Sequence, residues 1–388
     1  MRESLDLCLS CKACSSDCPA GVDMAMYRSE VLFRTYRRRL RPIRHYALGW
    51  LPRWGRLAGI APGLASAVLG FKPIGKTVLS LGGMDTRRSI PPFAKVPFRR
   101  WAARNGLQQS TTAVVAAVQA ETASEPDAPV ALNATAGDRT APPRPRVVLW
   151  TDSFSDAFAP GVPQAAVAVL RDAGYDVIVP EQEACCGLTW ISTGQLDGAR
   201  KKLKGLLDIL APFAVNGIPI VGIEPSCTAV LRSDLLELVP DDPRSVAVSR
   251  AVRTVAELLT APAPVGPGER WNPPRLDDVT AVVQPHCHHH SVMGFDADQA
   301  LLEGAGATLQ VLAGCCGLAG NFGYEKGHYE VSVAVAENAL LPALRDAAPG
   351  TVLLADGFSC RTQADQLAHV RGVHLVELLA ERIGSRAG

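Results

Sequence analysis

From residue 146 onward the chain alternates short apolar, β-branched runs with longer stretches of helical periodicity. The runs are 147–150, 176–179, 219–223, 281–283, 308–312 and 351–355, and helical stretches lie near 162–173, 296–303 and 359–366. Such alternation predicts an α/β fold whose parallel sheets are flanked by helices. The pattern also repeats. Cys-Cys-Gly-Leu occurs at 185–188 and at 315–318, 130 residues apart, and Ser-Cys at 226–227 and 359–360, 133 apart. That period is too long for a solenoid and suits a duplicated domain, with half one at 146–265 and half two at 278–388. Upstream, 24–37 reads as a helix capped by Asp23, with apolar Met26, Val31 and Phe33 along it. Pro42, Pro52, Pro62 and Pro73 then cut the segment into short pieces, so 1–105 is expected to be mostly helical arms. Residues 106–145, rich in Ala, Thr, Ser and Pro, are expected to form a disordered linker.

Charge is distributed unevenly. Residues 1–105 hold 19 Lys/Arg against 6 Asp/Glu, a net +13, and the remainder carries −12, so the chain as a whole is +1. No nucleic-acid motif or aromatic stacking platform accompanies the basic part, which argues against nucleic acid as a partner. A peripheral contact with an anionic membrane surface through Arg34, Arg37, Arg38, Arg39, Arg41 and Arg44 competes with a solvated or partner-facing basic helix. The N-terminus has no apolar signal segment, and the apolar stretch 57–71 is too short to span a bilayer. A cytoplasmic protein, peripheral at most at the inner face of the membrane, is the expectation.

The 11 cysteines fall in groups of four, three and four, unlike a secreted disulfide framework, and read as metal ligands in a reducing compartment. Cys8, Cys11, Cys14 and Cys18, followed by Pro19, have the C-x2-C-x2-C-x3-C-P spacing that holds a ferredoxin-type [4Fe–4S] cluster. In two-cluster modules the fourth thiolate of such a run serves the other cluster, and no second run exists here. Cys8, Cys11 and Cys14 are therefore expected to hold a cluster with one open corner, while Cys18 serves a cluster elsewhere.

In half two, Cys287, the pair Cys315 and Cys316, and Cys360 each follow a predicted strand. Parallel strands place their carboxyl ends on one rim, so these sequence-distant thiols should meet there. A helix starting near Ser359 would favour thiolate through its N-terminal dipole. In half one, Cys185, Cys186 and Cys227 follow the same plan, but 151–153 (Thr-Asp-Ser) stand where Cys287 stands in half two. A cluster in half one would need an oxygen ligand or help from the other half. His286, His288, His289 and His290 surround Cys287, and one imidazole, His288 being the candidate, could complete a metal site. Zinc on Cys287, Cys315, Cys316 and Cys360 rivals an iron–sulfur cluster there.

Together these motifs resemble the Cys-Cys-Gly (CCG) family of cysteine-rich domains, known from heterodisulfide reductases, anaerobic glycerol-3-phosphate dehydrogenase and lactate-utilisation proteins. The long matches, Cys-Cys-Gly-Leu-Thr-Trp-Ile-Ser-Thr-Gly-Gln-Leu, Glu-Pro-Ser-Cys-Thr-Ala, Cys-Cys-Gly-Leu-Ala-Gly-Asn-Phe-Gly and Asp-Gly-Phe-Ser-Cys-Arg-Thr-Gln, look like the C-terminal part of FAD-linked D-2-hydroxyacid dehydrogenases. The heterodisulfide-reductase motif ends Cys-x-x-Cys, whereas Glu224 and Gly357 stand at the first of those cysteines here. The resemblance implies an electron-transfer module that relays electrons from a reduced flavin to a quinone or a carrier protein. FAD, the substrate site and a first ferredoxin run are then expected on a flavoprotein partner or on a portion outside this chain, and the chain is not expected to turn over substrate alone. Two rival readings are a CCG protein that reduces a disulfide or quinone at its own metal site, and a zinc-stabilised scaffold without redox activity.

Overall fold

The computed structural model describes residues 2–124, 144–261 and 271–386. Among the described residues, eight strands form two sheets in which every strand pairing is parallel, and helices flank both, as the alternating pattern predicts. In chain order the strands are β1 (Gln108–Gln109), β2 (Arg146–Trp150), β3 (Asp176–Pro180), β4 (Ile220–Gly222), β5 (Val252–Arg253), β6 (Thr280–Val283), β7 (Thr308–Val311) and β8 (Val352–Leu354). The first sheet runs β1-β3-β2-β4-β5 and the second β7-β6-β8. The duplication is explicit in this order: β2 and β6 are central, β3 and β7 lie on one side, β4 and β8 on the other. A parallel bridge from Leu354 to Val373 continues the second sheet where β5 continues the first.

One apolar core joins the halves. Val147, Leu149 and Val221 of the first sheet share it with Ala281, Val283 and Leu354 of the second. Helix Gly161–Asp172 packs on Leu375–Arg386, and Val255–Thr260 packs on Asp296–Gly304. Buried on both faces, β2 and β6 read as continuous apolar runs, as parallel strands do.

The N-terminal segment differs from the expectation of separate arms, because it is pinned to both halves. Lys12, 3% exposed, places its Nζ 2.5 Å from Asp23 and 3.1 Å from Asp234 of half one. Arg28 donates to the Ser192 carbonyl of half one, the Ser10 carbonyl meets His288 Nε2 of half two at 2.8 Å, and His328 Nε2 stands 3.1 Å from Asp6. Helix Met24–Tyr36 has the predicted Asp23 cap, whose Oδ1 accepts the Met26 N–H. Its fully buried residues are Ala25, Arg28, Ser29 and Leu32, while Met26 and Phe33 are partly buried against the core of half one, where the helix packs on Leu188–Ser192 and Leu196–Val215. The prolines fall where helices begin: Pro52, Pro62 and Pro73 occupy first-turn positions of Leu51–Ala58, Pro62–Gly70 and Lys72–Leu81, where a missing N–H costs nothing.

One more expectation needs correction. The supposed linker contributes β1, which pairs with β3, and helix Thr111–Ser124, which buries Val114 and Val118; only 125–143 lie outside the described residues. Among the six arginines offered for a membrane contact, Arg41 donates to the Thr193 and Gly194 carbonyls and Arg44 pairs with Glu325. No single helix among the described residues is long and apolar enough to cross a membrane, although Pro62–Gly70 and Lys72–Leu81, bent by 89°, pass that test as a pair.

Candidate metal centre

The cysteines of each half stand at the carboxyl ends of the parallel strands. Cys185 and Cys186 follow β3, Cys315 and Cys316 follow β7, and Cys227 and Cys360 occupy the first turns of helices Pro225–Arg232 and Phe358–Ala368 after β4 and β8. In half two the thiols form one network. Hydrogen bonds from Cys315 and Cys360 hold Cys316 well below the ordinary thiol range, which marks it as the thiolate of the group. Bonds to Cys287 and Cys316, together with burial, push Cys315 up, and the Cys316 bond pushes Cys360 up. The Gly317 N–H donates to Cys315 Sγ at 3.4 Å.

Cys287 opens onto a single π-helical turn, His289–Met293, a distortion common at functional sites. It stands between two groups of thiols. It raises the Cys315 thiol within half two, and it also acts on Cys11, as do Cys8 and Cys14. Burial is the largest cause raising the Cys11 thiol, and those neighbouring charges add to it. Cys14 Sγ accepts the Met24 N–H at 3.3 Å, at the start of helix Met24–Tyr36. Cys18 lies exposed and is not among the thiols acting on Cys11.

Half one is built alike but is electrostatically less favourable to thiolate. The Cys186 bond lowers Cys227, but burial and the charges of Asp152 and Glu224 outweigh it, to about 12. Cys185 is pushed up by its bond to Cys186 and by burial. Asp152 takes the place of Cys287. It is buried, its Oδ1 accepts the N–H groups of Phe154 and Ser155, and its Oδ2 has no hydrogen-bond partner. With Cys185, Cys186 and Cys227 it lines a void of about 10 Å³, so a buried oxygen does face the three thiols. Among the described residues no three sulfurs lie within 4.8 Å of one another, a spacing met only by His289, Asp298 and Asp356. Tetrahedral zinc with Zn–S bonds near 2.3 Å needs sulfurs only about 3.8 Å apart.

Two residues that sequence reasoning passed over shape the rim. A Cβ on Gly357 would lie 2.3 Å from the His286 ring and 3.3 Å from Cys360 Sγ. The imidazole of His286 thus fills the space that a side chain at the Cys-x-x-Cys position would need. His288, the expected ligand, meets the Ser10 carbonyl through Nε2, and its buried Nδ1 has no hydrogen-bond partner. The signal for His286 was its place in the histidine run, but only the fold tells it from its neighbours.

Glu224, at the equivalent position of half one, is buried, and it accepts from Ser226 Oγ at 2.8 Å and from the Phe358 N–H of half two at 2.9 Å. Burial and the Asp152 charge raise its carboxyl to about 7, against Arg361 and the hydrogen bonds. A carboxyl raised above its unfolded value is a liability once ionised. The folded chain binds the extra proton between about pH 4.5 and 7, so stability falls as pH rises through that window, by at most about 1.4 kcal/mol per pH unit. Glu224→Gln is expected to flatten the slope. Urea midpoints of the metal-free chain at about pH 5 and 7 measure it, and an unchanged slope would assign the pH dependence to other groups.

Between the rim and helices Ile43–Ala47, Leu51–Ala58, Pro62–Gly70 and Lys72–Leu81 lies a cavity of about 520 Å³. Among the described residues, Cys287 is the one cysteine in its wall.

Comparison with known proteins matches this arrangement. Residues 152–232 fit the family model of the CCG cysteine-rich domain. The chain is 26% identical over 390 residues to D-2-hydroxyglutarate dehydrogenase of Escherichia coli (strain K12), covering 99% of this chain and 35% of that protein. It is 24% identical over 357 residues to one component of the anaerobic glycerol-3-phosphate dehydrogenase of the same organism, covering 88% and 77%. Lactate utilization protein A of an Exiguobacterium species is 27% identical over 257 residues, covering 62% and 98%. The chain spans about a third of the length of the D-2-hydroxyglutarate dehydrogenases it matches. Residues 152–232 thus match the CCG cysteine-rich domain, and the chain as a whole is distantly similar to these dehydrogenases and dehydrogenase-associated proteins.

Proposed function

We propose that the chain is the iron–sulfur electron-transfer module of a flavin-linked D-2-hydroxyacid dehydrogenase. The observation that carries this reading is the position of Cys287, whose thiol acts both on Cys11 of the N-terminal run and on Cys315 of half two, where helix Ala13–Ser16 packs on the turn His289–Met293. A residue in both places makes two cysteine-held centres close neighbours, as a relay requires. Cys8, Cys11 and Cys14 would hold a [4Fe–4S] cluster, and Cys287, Cys315, Cys316 and Cys360 a second centre. Bound there, such clusters supply one-electron redox chemistry, and the protein sets distance, burial and hydrogen bonding to sulfur. Cys185, Cys186 and Cys227, with Asp152 as the oxygen donor, form a weaker third candidate, since the charges around them oppose thiolate. Flavin and substrate are proposed to reside on a flavoprotein partner or domain, and a quinone or carrier protein receives the electrons.

Iron and acid-labile sulfide are to be measured on the anaerobically prepared full chain and on Cys316→Ser. Both elements should be present, and the variant should lose the half-two share while keeping the N-terminal one. Stoichiometric zinc without sulfide would establish the scaffold reading instead. The pure chain should not reduce dye with D-lactate or D-2-hydroxyglutarate, and substrate-dependent reduction without added flavoprotein would overturn the relay.

A further inference from the structure

We propose that the 520 Å³ cavity between the cysteine rim and the N-terminal helices binds the ring of a lipid-soluble quinone. This names the acceptor class for the relay above and rests on that reading. The volume is that of a small-molecule site, and the wall is mostly carbon with a minority of polar groups. Phe154 and Phe158 meet Phe358 at ring separations of 5.8 and 5.6 Å, and Phe93 stacks on Phe158 at 4.8 Å, so a planar ring finds aromatic faces. Ser226, Glu224, His286 and the Cys287 thiol are among the polar groups of the wall. His286 Nδ1 accepts the His288 N–H, which leaves Nε2 as the proton-bearing nitrogen, a donor suited to a quinone carbonyl.

The lining also excludes other ligands. It contains no lysine or arginine, so a phosphate, a nucleotide or the carboxylate of a 2-hydroxyacid would enter without a counter-charge, against the carboxyl of Glu224. A peptide would bring amide groups that the carbon wall cannot satisfy. The outer side of the same helices supplies the second half of the case. Leu57, Ile60, Leu64 and Phe71 are each between 58% and 78% exposed there. Arg53, Arg56, Lys72 and Lys76 lie on the same helices. Exposed apolar residues with basic residues on the same helices suit an anionic lipid surface, from which a quinone with a long apolar tail could enter head first. Reduction to the quinol takes two electrons and two protons. The electrons come from the substrate-reduced flavoprotein through the cysteine-held centres, and the protons come from solvent.

Duroquinone tests the binding step by equilibrium dialysis against the full chain, because its fully substituted ring cannot add to thiols. Saturable binding is expected, and it should weaken at least tenfold in Ala47→Trp, whose indole would fill the cavity from a half-buried wall position. Leu64→Ser, at one of the exposed apolar residues, should fold as well and bind the soluble ring as the parent does. Anthraquinone sulfonate, a charged ring compound, should not compete. Failure of duroquinone to saturate, or equal binding by a folded Ala47→Trp variant, would overturn the site. Binding needs no electron transfer, so these outcomes are independent of the iron and sulfide measurements.

Discussion

Replacing Lys12 by methionine is expected to destabilise the protein by about 3–5 kcal/mol, because it strands a buried carboxylate. Lys12 is 3% exposed and Asp234 is 2% exposed, with Asp23 completing the triad. Burial raises the Asp234 carboxyl, and the Lys12 ammonium is the largest influence pulling it back down. Without that ammonium Asp234 must take up a proton or remain charged in a poorly solvated place. The loss should therefore shrink as pH falls and protonation becomes easy. Lys12→Met combined with Asp234→Leu should regain most of the stability, since removing both charges is far less costly than removing one. Chemical denaturation of the single and double variants measures the coupling. Lys12 lies between Cys11 and Ala13, so the single variant should also expose Cys8, Cys11 and Cys14 to thiol reagents sooner than the parent. A single variant within about 1 kcal/mol of the parent would mean that the pair contributes no more than a surface ion pair.

Gly317→Ala should cost about 2–5 kcal/mol, and more than Gly187→Ala at the matching position of half one. Both glycines have left-handed backbone, φ +89° and +76°. The difference lies in the surroundings. A Cβ on residue 317 would sit 2.1 Å from the Ser332 carbonyl oxygen and 3.1 Å from the Ala336 nitrogen, both in helix Tyr329–Ala336. Helix backbone cannot rotate out of the way as a side chain can. At residue 187 the nearest atom is 3.3 Å away, which a small shift accommodates. Thermal unfolding of the two variants ranks them, and equal losses would show that backbone strain alone makes the third position of each Cys-Cys-Gly a glycine. Where Gly317→Ala still folds, displacement of the residue-317 N–H from Cys315 Sγ by the shifted backbone should disturb the half-two thiols, detectable as faster alkylation.

The sheets were legible because their strands are short, apolar and β-branched, and because the same order of signals occurs twice. Where the chain relies on backbone pairing alone the pattern is silent. β1 is Gln-Gln, held by ladder bonds such as Val179 N–H to the Leu107 carbonyl, and no side-chain rule would have found it. The helix after it is rich in alanine and threonine, so its composition reads as a linker although Val114 and Val118 are buried. The convergence of Cys287, Cys315, Cys316 and Cys360 follows from strand ends sharing a rim, which topology supplies without any spacing rule. The nearness of Cys287 to Cys11 was not legible, because it depends on how 1–105 docks. That docking uses Lys12, Arg28 and Asp6, polar residues that resemble surface charges until their partners are known. The choice of His286 over His288 is a matter of which way each ring turns, information a histidine run does not contain.

Glu224 and Gly357 began as equivalent positions of two copies, and they no longer do the same thing. Glu224 reaches across to accept the Phe358 N–H at the first turn of the opposite half's helix, while Gly357 offers half one no side chain in return. The halves are joined as donor and recipient, like a key and its lock, and cannot be exchanged. Two copies of half one would set a pair of buried carboxylates face to face, and two copies of half two would leave both helix starts without an acceptor. The duplication has thereby acquired a direction, which commits the second half to the complete set of four cysteines and leaves the first to hold it in place.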